Sequence, residues 1–175
     1  NTLFDGTGVQ ATERYVADLR AHGVTVSRIM MEYSQQVATF LENPVGTFND
    51  QVVAFWDAFI PMAEAHGLYL LLTPYDTFWQ NEYWDIYPYN AEAGGPCATR
   101  HDWLTGRDCI EAQKNRWRFI INRWGDSPNI FAWDLMNEID IDWAATADEI
   151  VAYVDEMAQF IRDTQMEQWG HASLI

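Results

Sequence analysis

The chain has 175 residues, enough for one domain with a real core. Hydrophobic residues make up 49% of it, which excludes a disordered chain, and nine tryptophans exceed what a core alone calls for. Twenty-six acidic against ten basic residues give a formal charge of −16, which repels polyanions and argues against nucleic acid and anionic membrane as partners. No apolar run approaches the ~20 residues that a membrane span needs, and no signal peptide is visible.

In chain order, one pattern recurs: an amphipathic helix, a glycine, then an apolar strand. The first helix is predicted over Thr12 to His22, with Tyr15, Val16 and Leu19 on one face, followed by Gly23 and a strand from Val24 to Met31. The second runs from Asn49 to His66, with Val52, Phe55, Trp56, Phe59, Ile60 and Ala63 as its apolar stripe. Thr47 with Asp50 resembles a capping box at its start, and Pro61 is placed to kink it. Gly67 and a strand from Leu68 to Pro74 follow.

The third helix spans about Cys109 to Trp124, then Gly125, a Ser127-Pro128 turn and a strand from Ile130 to Met136. The fourth begins at a Thr146/Glu149 capping-box pattern, reaches Gly170 and enters an apolar segment from His171 to Ile175. Each glycine fits the left-handed position that ends a helix. Alternating helices and strands imply a parallel sheet with helical crossovers, either an open doubly wound sheet or a closed eightfold barrel.

The segments at the strand ends separate these two architectures. An open nucleotide-binding sheet wants a Gly-rich turn whose backbone cradles phosphate. Here the strands lead into Glu32-Tyr33-Ser34-Gln35, Tyr75-Asp76-Thr77-Phe78-Trp79 and Asn137-Glu138, which are polar and aromatic side-chain platforms. Four strands are counted where a barrel needs eight, so residues 1–175 read as a partial catalytic (β/α)8 TIM barrel, an internal piece of a larger domain.

Strand parity places Val26, Arg28, Met30 and Glu32 on one side, and Ala132, Asp134, Met136 and Glu138 on the corresponding side of the third strand. Phe131, Trp133 and Leu135 then face the helices. A buried arginine needs a carboxylate partner, so Arg28 is expected to point inward toward the acids near the barrel mouth. Glu138, at a strand's carboxyl end, is the candidate proton donor for glycosidic cleavage, with Asp134 and Asp140 near enough in sequence to favour its protonated form. The long stretch after the second strand carries Phe78, Trp79, Tyr83, Trp84, Tyr87 and Tyr89, and aromatic faces stack on pyranose rings. Cys97 and Cys109 flank a loop rich in Gly, Pro and Thr. They are either a disulfide of an oxidising compartment or two unrelated thiols.

The run from Asn122 to Glu138 resembles the fourth-strand region of clan A glycoside hydrolases, notably glycoside hydrolase family 5 with its mannanases and cellulases. An Arg123-Trp124 pair closes a helix, a Ser-Pro turn follows, and Trp133-Asp134-Leu135-Met136-Asn137-Glu138 ends the strand. The resemblance implies a retaining hydrolase of β-1,4-mannan or β-1,4-glucan, secreted or periplasmic, with no cofactor or metal and a polysaccharide or oligosaccharide as partner. It makes Glu138 the general acid/base, puts Asn137 on the sugar 2-hydroxyl, and matches Arg28 to the second-strand arginine that supports the nucleophile. Trp79, Trp84, Tyr75, Asp76 and Tyr33 are the further substrate contacts expected.

Two departures stand out. Thr73-Pro74-Tyr75-Asp76 replaces the histidine that ends the third strand in many members. The nucleophile, a seventh-strand glutamate, lies outside these residues, so this segment alone is expected to be inactive. The alternatives are a non-catalytic carbohydrate-binding barrel and a metal-dependent barrel hydrolase. The second requires His22, His66, His101 and His171 to converge. A calcium site at Asp134, Glu138, Asp140 and Asp142 is a minor reading.

Overall fold

The computed structural model describes residues 6–32, 40–140 and 145–175. Its elements in chain order are α1 (Gly6–Ala21), β1 (Val26–Met30), α2 (Asp50–Ala65), β2 (Tyr69–Thr73), α3 (Thr77–Glu82), α4 (Arg100–Thr105), α5 (Arg107–Trp124), β3 (Ile130–Trp133) and α6 (Ala147–Trp169). The strands form one parallel sheet in the order β1-β2-β3. The fourth expected strand makes a single parallel bridge, Leu174 to Ala132, with Leu174 N donating to Phe131 O and Leu174 O accepting from Trp133 N. No helix among the described residues is long and apolar enough to cross a membrane.

The helices form where an apolar stripe meets a cap. The α2 stripe, Val52 to Ala63, is buried and runs through Pro61 without interruption. Its N-cap is Asn49, whose side chain accepts from Gln51 N and Val52 N. This corrects the Thr47/Asp50 box, because Asn49 sits one residue from the first helical position. The Thr146/Glu149 box forms at the start of α6, and Thr99 with Asp102 forms another at α4.

Gly23, Gly67 and Gly170 have positive φ as expected, but Gly125 stays right-handed at φ −70°. Its need for glycine is steric: a Cβ there would lie 2.6 Å from Ile121 O. Beside it, Arg123 grips Asp57 of α2 with two bonds of 2.7 and 2.6 Å, and Trp124 Nε1 donates to the same carboxylate. The Arg-aromatic pair therefore locks α5 to α2, away from the strand ends that carry the site.

Side chains alternate as the strand period requires. Leu70, Leu72 and Trp133 are buried, and Trp133 meets Trp117 of α5 edge-to-face and Gln165 of α6. Arg28, Thr73 and Asp134 meet on the opposite face. Pairing slips by one residue between Leu70 and Leu71 relative to β3, a bulge of the kind that re-aims side chains near active sites.

The long segment after β2 is more ordered than a loop reading implies. It contains α3, α4 and two 3₁₀ turns, and it is closed onto α5 by the Cys97–Cys109 disulfide, with Cα atoms 5.5 Å apart and both cysteines buried. The bridge joins residues 12 apart in sequence. Removing it with a Cys97→Ser, Cys109→Ser pair is expected to cost about 3 kcal/mol by the loss of loop constraint in the unfolded chain. Urea denaturation of the two proteins measures this, and an unchanged midpoint would refute it.

Candidate active site

The site lies at the carboxyl ends of β1, β2 and β3, where three segments are tied side chain to side chain. Arg28 leaves β1 and donates from Nε (3.1 Å) and Nη2 (2.7 Å) to Asp134 Oδ2 just past β3. Thr73, the last residue of β2, donates to the same oxygen at 3.1 Å. Arg28 Nη2 also reaches Asn137 Oδ1 at 2.7 Å. The arginine keeps 42% of its side-chain exposure, so it serves as a partly solvated clamp rather than a buried ion.

Asn137 is the centre of this arrangement. Its Nδ2 donates to Asp76 Oδ1 at 2.9 Å, its N donates to Tyr75 O at 3.0 Å, and its O accepts from Thr77 Oγ1 at 2.5 Å. The Asp76–Asn137 backbone bridge resumes the β2–β3 ladder after an irregular stretch. Strict alternation would send Asp134 and Asn137 to opposite faces, three residues being an odd step. Both meet Arg28 because β3 ends at Trp133 and the chain is irregular before Asn137. Parity therefore does not carry through to Glu138, contrary to the expectation of a strand running to Met136.

Glu138 follows at φ +52°, the one non-glycine residue with positive φ among those described, and its side chain is exposed. That conformation is costly for a residue with a Cβ and is sparsely populated outside Gly, Asn and Asp. It turns the carboxylate out into solvent directly after the anchored Asn137. Asp134, expected to press on Glu138 as a bare charge, is instead compensated by Arg28.

The remaining sequence candidates divide. Asp76 is buried and bonded to Asn137. Trp84 is half-buried, its ring stacked on Tyr87 with centroids 6.1 Å apart. Trp79 belongs to α3, and its side chain, like Tyr33, lies outside the described residues. Tyr75 is a correction: it is fully buried, with the Arg116 guanidinium 4.2 Å over its ring, Trp103 edge-on, and its hydroxyl on Tyr89. No face of it is left for a sugar. Tyr87 and Tyr89 are likewise core, and burial pushes all three phenols upward in pKa, which keeps them protonated. Much of the aromatic segment is thus core.

Sequence reasoning missed Thr73, Thr77 and a buried ion pair beneath the site. Arg116 Nη1 meets Glu32 Oε1 at 2.7 Å, and Nη2 donates to Pro74 O at 2.6 Å. Glu32, expected on the side of Arg28, also accepts from Leu41 N. Burial raises its pKa against the pull of the Arg116 charge. The available signal was helical spacing, since Arg116 falls on the same stripe as Cys109, Gln113, Ile120 and Trp124, all buried. The described residues bring together no group of three His, Cys, Asp or Glu that could hold a metal.

A family model described as cellulase (glycosyl hydrolase family 5) matches residues 3–170. The chain belongs to glycosyl hydrolase family 5. It is similar to mannan endo-1,4-beta-mannosidase 3 of Oryza sativa subsp. japonica, 29% identical over 133 residues, 70% of this chain and 28% of that protein. Mannan endo-1,4-beta-mannosidase 7 of Arabidopsis thaliana is 26% identical over 169 residues, 90% of this chain and 38% of its own length.

The chain thus spans well under half of the curated family 5 relatives it matches. Among solved structures, the endo-1,4-beta-mannanase from Rhizomucor miehei superposes with a TM-score of 0.69 over 93% of this chain and 51% of the other, at 18% identity. At that identity the likeness speaks for the fold, and the three-stranded parallel sheet with its helices is an arc of a (β/α)8 barrel.

Proposed function

We propose that this family 5 chain carries the acid/base part of a retaining glycoside hydrolase that cleaves β-1,4-mannan internally. One observation carries the reading: an exposed carboxylate, Glu138, is held in a left-handed turn directly after an asparagine whose amide is fixed on both sides. Retaining cleavage needs one carboxyl group to protonate the leaving oxygen and later to activate water. An exposed, backbone-fixed carboxylate at a strand's carboxyl end suits that work. The choice of mannan over glucan is supported by the names of the relatives, which are mannan endo-1,4-beta-mannosidases.

In this reading Asn137 contacts a sugar hydroxyl, and Asp76, Trp84 and Trp79 border the cleft. Arg28 holds the rim and faces the nucleophile, a second carboxylate expected from a later strand. The excess of acidic residues is compatible with a neutral polymer. The buried disulfide fits a segment of a secreted protein.

The test is product analysis with the full-length protein. On β-1,4-mannan it is expected to release oligosaccharides of mixed length, with the β-anomer first in the proton NMR spectrum. Its rate on cellulose is expected to be at least about tenfold lower, the size of discrimination that one or two hydroxyl contacts provide. First release of the α-anomer would exclude retention, and no release from either polymer would leave the binding-barrel alternative.

A further inference from the structure

We infer that Asp76 is a positioning residue: it sets the direction in which Asn137 offers its remaining N–H to a bound sugar. The inference rests on the proposed glycosidase reading and adds a residue to it. Its physical basis is the hydrogen-bonding capacity of one amide.

An asparagine side chain has two N–H donors and two acceptor lone pairs. Arg28 can only donate, so the amide atom 2.7 Å from its Nη2 is Oδ1. The Asp76 carboxylate accepts, so the atom 2.9 Å from its Oδ1 is Nδ2. The partners therefore decide the amide's orientation between them. One N–H and one lone pair remain. Asn137 is 9% exposed, so little else of it can meet a ligand.

Arg28 alone would leave the amide able to swing about the bond to its oxygen. Asp76 removes that freedom, and it does so from a rigid base. Its own Oδ1 also accepts from Phe78 N (3.3 Å), and its backbone O accepts from Gln80 N (3.0 Å) at the start of α3. Thr77, the next residue, bonds Asn137 O. The end of β2 thus fixes both the main chain and the side chain of Asn137, one residue before Glu138. A donor aimed within a fraction of an ångström contributes to catalysis mainly through that aim, and misplacement by about 1 Å can cost a hundredfold.

Two jobs of Asp76 can be separated. Serine caps a helix start well, but its oxygen is one bond shorter, so Asp76→Ser keeps the bond to Phe78 N and loses Asn137. Asp76→Asn retains an acceptor oxygen for Asn137 Nδ2. The experiment measures kcat, KM and thermal midpoint on mannohexaose for the full-length enzyme and its Asp76→Ser, Asp76→Asn, Asn137→Ala and Asp76→Ser/Asn137→Ala variants.

Asp76→Ser is expected to lower kcat about tenfold to a hundredfold, with little change in KM, because an interaction completed in the transition state is lost. Its thermal midpoint should stay within a few degrees of the parent. Asp76→Asn should stay within about threefold of the parent. The double variant should be no slower than Asn137→Ala, since a residue that acts through Asn137 has nothing left to act on. An Asp76→Ser enzyme as fast as the parent overturns the inference. Penalties that multiply in the double variant, or a collapsed midpoint in the serine variant, also overturn it and make Asp76 purely structural. A parent enzyme that fails to cleave mannohexaose overturns the proposed function and this inference with it.

Discussion

Replacing Glu138 by glutamine in the full-length protein is expected to lower turnover of mannan by about 10²–10⁴-fold, the range that a positioned proton donor supplies. Glutamine keeps the shape but cannot protonate the leaving oxygen. The loss should depend on the leaving group. An aryl mannoside whose phenol departs without help should still form the glycosyl-enzyme, so a burst of phenol should survive where mannan hydrolysis does not. Thermal stability should be unchanged, because Glu138 is exposed and glutamine inherits the same φ of +52°.

Glu138→Gly sharpens the point. It should be as inactive on mannan as Glu138→Gln yet more stable by about 1 kcal/mol, since glycine adopts that backbone freely. A gain in stability with a loss of activity is what strain retained for function predicts. Near-parental mannan hydrolysis by Glu138→Gln would sink the assignment.

The long helices α1, α2, α5 and α6 were legible from their apolar periodicity, whereas the short α3 and α4 were not. The stripe of α2, the Thr146/Glu149 box and the glycines after α1, α2 and α6 each fall within a few residues of where the pattern puts them. The features that escaped depend on contacts that a one-dimensional pattern does not contain. The face shared by Asp134 and Asn137 follows from the irregular stretch after Trp133, and alternation predicts the opposite. Tyr75 reads as a rim residue from its place after β2, yet the segment carrying Tyr89 and Trp103 folds over it. Asp76 was singled out from its place after β2, but its grip on Asn137 joins positions 61 apart in sequence.

Arg116 was within reach of the same pattern argument, and its removal should be the most damaging change to stability. Arg116→Met leaves Glu32 buried without its counter-charge and Pro74 O without its donor. Breaking one side of a buried pair typically costs about 3–5 kcal/mol. Most of that cost is the stranded carboxylate, so neutralising it should recover a large part. In Glu32→Gln/Arg116→Met the glutamine oxygen can still accept from Leu41 N, and the double variant should be clearly more stable than Arg116→Met alone. Urea denaturation of the three proteins decides it, and a loss below about 1 kcal/mol in Arg116→Met would refute the account.

The consequence reaches the site through geometry. Arg116 ties α5 to Glu32, just past β1, and to Pro74, two residues before Asp76. Loosening Pro74 loosens Asp76 and hence the amide of Asn137, so the double variant should regain stability more fully than it regains kcat. The buried pair therefore serves the fold through its charges and the proposed site through its hold on one carbonyl.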